Sequence, residues 1–201
     1  VLLSLFGALP FTLCGDIPHY IDAVFESVSG FTTTGASILS DVEALHCGML
    51  FWRSFTHWVG GMGVLVFVMA IIPLSKGNGD SLHLLRAESP GPSVGKVTPT
   101  MSKNSRVLYA IYVGMTLVTI LLLLLDGMPL FDSLCNAFGA AGTGGFSIKN
   151  NGMNGYSALS QSIIAVAMLL FGVNFSIYYL LLTREAKRAF KDEELRWYLS
   201  I

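Results

Sequence analysis

Residues 29–37 read SGFTTTGAS, three consecutive threonines and a glycine in a chain otherwise built for lipid. Such a run makes a poor helix, and its hydroxyls make a poor lipid-facing strand. A related run returns 110 residues later. Sliding the chain on itself by that interval sets IDAVFESVSGFTTTGASI (residues 21–38) against FDSLCNAFGAAGTGGFSI (residues 131–148) without a gap. Asp22 meets Asp132, Thr33 meets Thr143, Gly35 meets Gly145, Ser37 meets Ser147 and Ile38 meets Ile148. Upstream, Asp16 meets Asp126 at the same offset. An internal repeat of this kind marks a duplicated structural unit.

The surroundings of both copies are membrane-like. Of 201 residues, 53% are hydrophobic and only 12% charged, with a mean hydropathy of +0.63, against about 25% charged in soluble domains. Stretches free of Lys, Arg, Asp and Glu occupy 1–15, 55–74 (extending outward past Arg53 to about 49), 107–125 and 157–183. About 20 apolar residues cross a bilayer as a helix, so the last three are spanning candidates and the first is too short. The chain begins at Val1 inside an apolar run, without a signal-peptide pattern. It is expected to be an internal piece of a longer protein, its first helix truncated. The segments 20–31 and 130–141 cannot cross and read as re-entrant helices, buried in protein or lining a wet cavity. Cys14, Cys47 and Cys135 form no CxxC pair and read as small apolar fillers rather than a disulfide framework or a metal site.

Charge placement orients the chain. Lys76, Arg86, Lys96, Lys103 and Arg106 lie between the second and third apolar stretches, and Arg184, Lys187, Arg188, Lys191 and Arg196 follow the fourth. The positive-inside rule puts both segments in the cytoplasm. Arg53 and Lys149 fall on the other side, with Asp16, Asp22, Glu26, Asp41, Glu43, Asp126 and Asp132. An acidic outer mouth would concentrate cations, although Asp41 and Glu43 read as ordinary solvated loop acids.

The expected fold is an all-α polytopic membrane protein of repeated helix, re-entrant pore helix with filter loop, helix (M1-P-M2) units, similar to a K⁺ channel. The first unit covers 1–74, with a truncated M1, a pore helix at 20–31, a filter at 32–36 and M2 at about 49–73. A cytoplasmic loop follows at 75–104. The second unit covers 105–183, with M1 at 105–125, a pore helix at 130–141, a filter at 142–146 and M2 at 157–183. A cytoplasmic linker closes the chain at 184–201.

Such a unit has what a cation pore needs. A short helix entering from outside ends with about half a negative charge aimed at the pore axis. The returning loop offers carbonyl oxygens in place of the hydration shell. Aligned carbonyls demand backbone conformations that glycine tolerates. The candidate ligands are the backbone carbonyls of Thr32, Thr33, Thr34 and Gly35, and of Gly142, Thr143, Gly144 and Gly145. Threonine hydroxyls either add oxygens or brace the loop. No carboxylate lies in the loops, which favours a monovalent ion over Ca²⁺ or Mg²⁺. Asp22, Glu26, Arg53 and Asp132 are candidate outer-mouth or supporting residues, Arg53 pairing with an outer acid behind the filter.

The loops SGFTTTGAS and GTGGFS, with FWRSFTHWVGGMGVLVFVMAIIP after the first and RAESPGP in the connection, resemble the Trk/Ktr/HKT superfamily of potassium transporters. The likeness covers essentially the whole chain and is nearest to the bacterial Trk and Ktr membrane subunits. It implies a four-unit polypeptide around one pore, of which this chain holds about two units. It further implies K⁺ as the transported ion, Gly35 and Gly145 as filter glycines, and Na⁺ or H⁺ as candidate coupling ions. The implied setting is multi-pass in the inner membrane, in contact with lipid, as a homodimer docked to a cytoplasmic nucleotide-binding regulatory ring; nucleic acid is not implied. Gly142 and Gly144 stand where the first loop has Thr32 and Thr34, so the pore would be chemically asymmetric.

Other signals weigh less. The glycines of GAAGTGGFS suggest a nucleotide loop, but no strand precedes them. Gly60, Gly61 and Gly63 allow close helix packing or a hinge. Asn174, beside Gly172, is expected to face the inner pore or a neighbouring helix rather than lipid. His57 with Ser29 or Ser37 would be the makings of an intramembrane hydrolase, but no acidic orienter accompanies them, and the chain is read as a transporter rather than an enzyme. A simple M1-P-M2 potassium channel subunit is the alternative within transport.

Overall fold

The computed structural model describes residues 1–63, 101–182 and 192–200. Regular structure there is helical throughout. Helix α1 (Leu2–Leu13) stops where Gly15 turns left-handed, at φ +82°. Helix α2 (Tyr20–Phe31) begins after Pro18 and carries Asp22 in its first turn, a placement the helix dipole favours. After an extended stretch, α3 (Cys47–Gly61) follows. The second unit runs through α4 (Met101–Leu125), α5 (Leu130–Ala141), a 3-10 turn (Gly152–Gly155), α6 (Ala158–Phe171) and α7 (Phe175–Leu182), with α8 (Glu193–Ser200) beyond. Gly127, at φ +88°, stops α4 as Gly15 stops α1.

Each short helix packs against both longer helices of its unit, α2 on α1 and α3, α5 on α4 and α6. Helix α3 also reaches across to α5, so it is the seam between the units. Phe51, Phe55 and Trp58 recur at helical spacing on one face of α3. Their rings meet that of Phe138 on α5 at centroid distances of 6.0, 6.2 and 5.3 Å. Gly60 and Gly61 let the backbones close up. A side chain at Gly60 would strike the carbonyls of Gly30 and Phe31, and one at Gly61 would strike the Tyr112 hydroxyl and the Ala141 carbonyl. The two apolar cores interlock. Cys135 and Ile148 of the second unit pack with Phe11, Ala23 and Leu50 of the first, while Trp58 and Met62 pack on the second unit's cluster around Tyr112 and Phe171.

Two helix bounds differ from expectation where residues are described. Helix α3 ends at Gly61, and Gly63 is left-handed at φ +70°. The expected inner part of that helix, residues 64–73, lies outside the described residues. The stretch 157–183 is two helices broken at 172–174. Gly172 has no room for a Cβ, because the Tyr198 hydroxyl of α8 packs on it, and Asn174 donates to Glu194 of α8 at 3.0 Å. Carbonyls near the break are met by tyrosines: Tyr198 donates to Leu169 O at 2.9 Å and Tyr178 to Leu170 O at 2.6 Å. A break at membrane depth is tolerable only with partners of this kind. Asn174 thus takes a helix–helix bond.

Among the described residues, only 107–125 is a helical stretch long and apolar enough to cross a bilayer. Helix α4 begins at 101, ahead of the expected 105. The expected loop 75–104 lies outside the described residues up to 100, as does 184–191 of the final linker, whose remainder includes α8.

Candidate functional site

Both short helices end on a left-handed threonine, and the ending builds the loop. At the end of α2, the Thr33 N–H bonds Gly30 O and the Thr34 N–H bonds Ser29 O, each at 3.0 Å. This pair of bonds is the Schellman termination, whose pivot residue must be left-handed and is usually glycine. Here the pivot is Thr33, at φ +55°. At the end of α5, the Thr143 N–H bonds Ala140 O at 2.9 Å, and Thr143 sits at φ +57°. Two residues on, Gly35 and Gly145 are left-handed again, at +75° and +73°. A left-handed residue at every second position turns the peptide planes away from the regular alternation of a strand.

The loops meet. A Cβ on Gly35 would strike the Gly144 carbonyl, and one on Gly144 would strike the Thr33 carbonyl. Oxygens from both chain segments therefore converge on one junction. The side chains of Thr32 and Thr34 brace the first loop: their hydroxyls bond each other at 2.7 Å, and Thr32 donates to Val28 O at 2.7 Å. Ser29 donates to Ala36 O at 2.5 Å.

Behind the loops lies a buried ion pair. Glu26 of α2 and Arg53 of α3 are 1% and 3% exposed, and Arg53 Nε donates to Glu26 Oε1 at 2.5 Å. The same carboxylate accepts from Ser37 Oγ at 3.0 and 3.1 Å and from the Ile38 N–H at 3.1 Å, holding the outgoing strand of the first loop. A second arm of Arg53 donates to Ser147 O at 2.8 Å, and its guanidinium lies 3.7 Å from the Phe146 ring centre. One side chain thereby ties the first loop's anchor to the second loop. Four residues on, His57 Nε2 accepts from the Gly144 N–H at 3.1 Å, with its ring 4.6 Å from that of Phe146. Ser29, Ser37 and His57 thus bond Ala36 O, Glu26 and the Gly144 N–H rather than one another.

The outer acids do structural work. Asp16 accepts from the His46 N–H at 3.0 Å and contacts its ring Nδ1 at 2.5 Å. Asp126, its counterpart in the repeat, accepts from the hydroxyls of Ser157 and Ser160, which hold its carboxyl below the usual range. Each ties the end of one helix to the start of another. Asp132 accepts from Tyr156 at 2.8 Å; burial, and then that bond, push the phenol up. Asp41 and Glu43 both accept from Asn150, at 2.7 and 3.0 Å, clasping the two units. Asp22 lies half-buried at the start of α2, remote in sequence from the loops.

With this geometry in hand, kinship is decisive. The profile of the TrkH family, described as a cation transport protein, matches residues 2–200. The chain belongs to the TrkH family. It is 35% identical over 205 residues to the Trk system potassium uptake protein TrkG of Escherichia coli (strain K12), covering 100% of this chain and 42% of that protein. It is 36% identical over 205 residues to the Trk system potassium uptake protein TrkH of Salmonella typhimurium, with the same coverage. The crystal structure of the potassium transporter TrkH from Vibrio parahaemolyticus superposes with a TM-score of 0.79 at 30% identity, over 99% of this chain and 40% of that one. The chain spans about 42% of the length of the curated relatives it matches.

Two features of this TrkH-family site escape sequence reasoning. A β-branched residue at positive φ is a genuine outlier, so Thr33 and Thr143 would not be chosen as turn pivots over nearby glycines. Their identity across the repeat was the available signal. The His57–Gly144 bond spans 87 positions and had a fainter one, the loss of both flanking threonine side chains in the second loop.

Proposed function

We propose that this chain supplies two of the four walls of a K⁺-selective pore for potassium uptake. Its proposed ligands are the backbone carbonyls of Thr32, Thr33, Thr34 and Gly35, and of Gly142, Thr143, Gly144 and Gly145. The observation that carries the reading is the pairing of loops with matched left-handed residues whose carbonyls converge between Gly35 and Gly144. Neutral carbonyls suit a monovalent ion that must enter and leave quickly. The potassium uptake named for the relatives points the same way.

The proposed units are 1–74 and 105–183, with filters at 32–36 and 142–146, in a multi-pass protein of the inner membrane. Glu26 and Arg53 support the filter from behind. Na⁺ or H⁺ as a coupling ion, a cytoplasmic nucleotide-binding regulatory ring and a homodimer belong to the same proposal for the full-length protein. The test is complementation: the full-length gene restores growth of a potassium-uptake-deficient bacterium at low K⁺, and Gly35→Ser abolishes the rescue. Rescue by Gly35→Ser equal to wild type would overturn the filter assignment.

A further inference from the structure

The two loops are not braced alike, and one histidine accounts for the difference. In the first loop, the Thr34 N–H closes the helix ending by bonding Ser29 O. The repeat relates these to Gly144 and Gly139. Yet the Gly144 N–H turns away to His57 Nε2 at 3.1 Å, and Gly139 O takes the next amide, Gly145, at 3.4 Å. The second loop is thus shifted by one hydrogen-bond position relative to the first. The same ring fills the space that side chains would need. A Cβ on Gly142 or on Gly144 would strike the imidazole, whereas Thr32 and Thr34 carry side chains that brace the first loop by bonding each other. His57 is fully buried, and its ring packs on Phe146 of the same loop.

We propose that His57, through its Nε2 lone pair on the Gly144 amide, is a positioning residue that sets the second filter loop and thereby cation selectivity. It replaces, from the neighbouring unit, the bracing that the Thr32–Thr34 pair supplies within the first loop. Because the amide donates, Nε2 is the unprotonated ring nitrogen and Nδ1 carries the hydrogen. Without the acceptor, the Gly144 amide is free to return to Gly139 O, and the loop carbonyls turn with it. The equivalent position on α6 is Ala167, so this brace is made once in the chain's two units. The inference rests on the filter reading above, and its test separates the two.

The experiment measures the K⁺-over-Na⁺ permeability ratio of the full-length protein in proteoliposomes, normalised to incorporated protein, for His57→Gln, His57→Asn and His57→Leu beside Gly145→Ser. A glutamine amide oxygen reaches where Nε2 stands, an asparagine oxygen falls short, and leucine offers no acceptor. The expected ratio is near wild type for glutamine and about three- to tenfold lower for asparagine and leucine, the scale of one hydrogen bond. If the leucine variant fails to accumulate, the glutamine–asparagine pair decides. An unchanged ratio in the asparagine and leucine variants, with Gly145→Ser impaired, overturns the role of His57 and leaves the filter intact. Equal losses in all three His57 variants also overturn it, since the acceptor would then be irrelevant. An unchanged ratio in Gly145→Ser and the His57 variants alike removes the filter reading and this inference with it.

Discussion

Glu26→Gln is the most informative perturbation of the brace behind the loops. The side chain keeps its size and loses its charge, leaving the Arg53 guanidinium buried at 3% exposure without a counter-ion. Breaking a buried ion pair from one side costs about 3–5 kcal/mol, mostly the penalty of the stranded charge. Arg53→Met costs a comparable amount, because it strands the carboxylate and leaves Ser147 O without its 2.8 Å donor. The double variant strands no charge. Its loss should fall short of the sum of the single losses by about 2–3 kcal/mol, at the upper end for contacting residues. The assay is thermal inactivation of the purified full-length protein in detergent, run as a double-mutant cycle. The carboxylate also holds Ser37 and Ile38, so Glu26→Gln should also lower K⁺-over-Na⁺ selectivity before stability is limiting. Additive losses would refute the coupling, and with it the idea that one ion pair ties the two loops together.

Three further outcomes are expected. Gly35→Ala should be more damaging than Gly145→Ala. Both pay roughly 1–2 kcal/mol for a Cβ in the left-handed region, but only at Gly35 does the Cβ also meet a backbone carbonyl, and equal effects on thermal stability would contradict this packing. The Asp126 carboxyl is held below its usual range by Ser157 and Ser160. Its contribution is therefore in place above the unfolded carboxylate range, near pH 4, and is lost as pH falls through the lower folded value. The stability gap between wild type and Asp126→Asn should be constant at neutral pH and close on acidification; a gap that closes near neutrality would contradict the assignment. Tyr198→Phe removes the donor to Leu169 O at the break between α6 and α7. It should destabilise by about 1 kcal/mol and speed proteolysis after Arg196, whereas unchanged proteolysis would show that α8 does not depend on that bond.

The helical, duplicated architecture is legible in the sequence because hydropathy sets segment length and the 110-residue offset sets the unit. What is not legible follows from the limits of those signals. Twenty-seven uncharged residues at 157–183 look like one span, since hydropathy is blind to a break that Gly172 and Asn174 introduce and α8 caps. Composition does not show that Asp16 and Asp126 each accept hydrogen bonds at the start of a later helix. Gly35 and Gly145 stand out because glycine advertises backbone freedom. Thr33 and Thr143 do not, because their left-handed turn is imposed by the helix ending against threonine's own preference. Arg53 and His57 sit one turn apart on α3, which puts them on one face. Only the packing of α3 against α5 shows that this face reads the neighbouring unit's loop.

The central claim is that the two loops are walls of one cation filter. It is met most directly by the K⁺-over-Na⁺ permeability ratio of the full-length protein under bi-ionic conditions, compared among wild type, Gly35→Ser and Gly145→Ser. The account predicts a lower ratio in both variants, because each puts a Cβ at a left-handed position of a filter loop, at Gly35 against the Gly144 carbonyl as well. A ratio unchanged in both would contradict it.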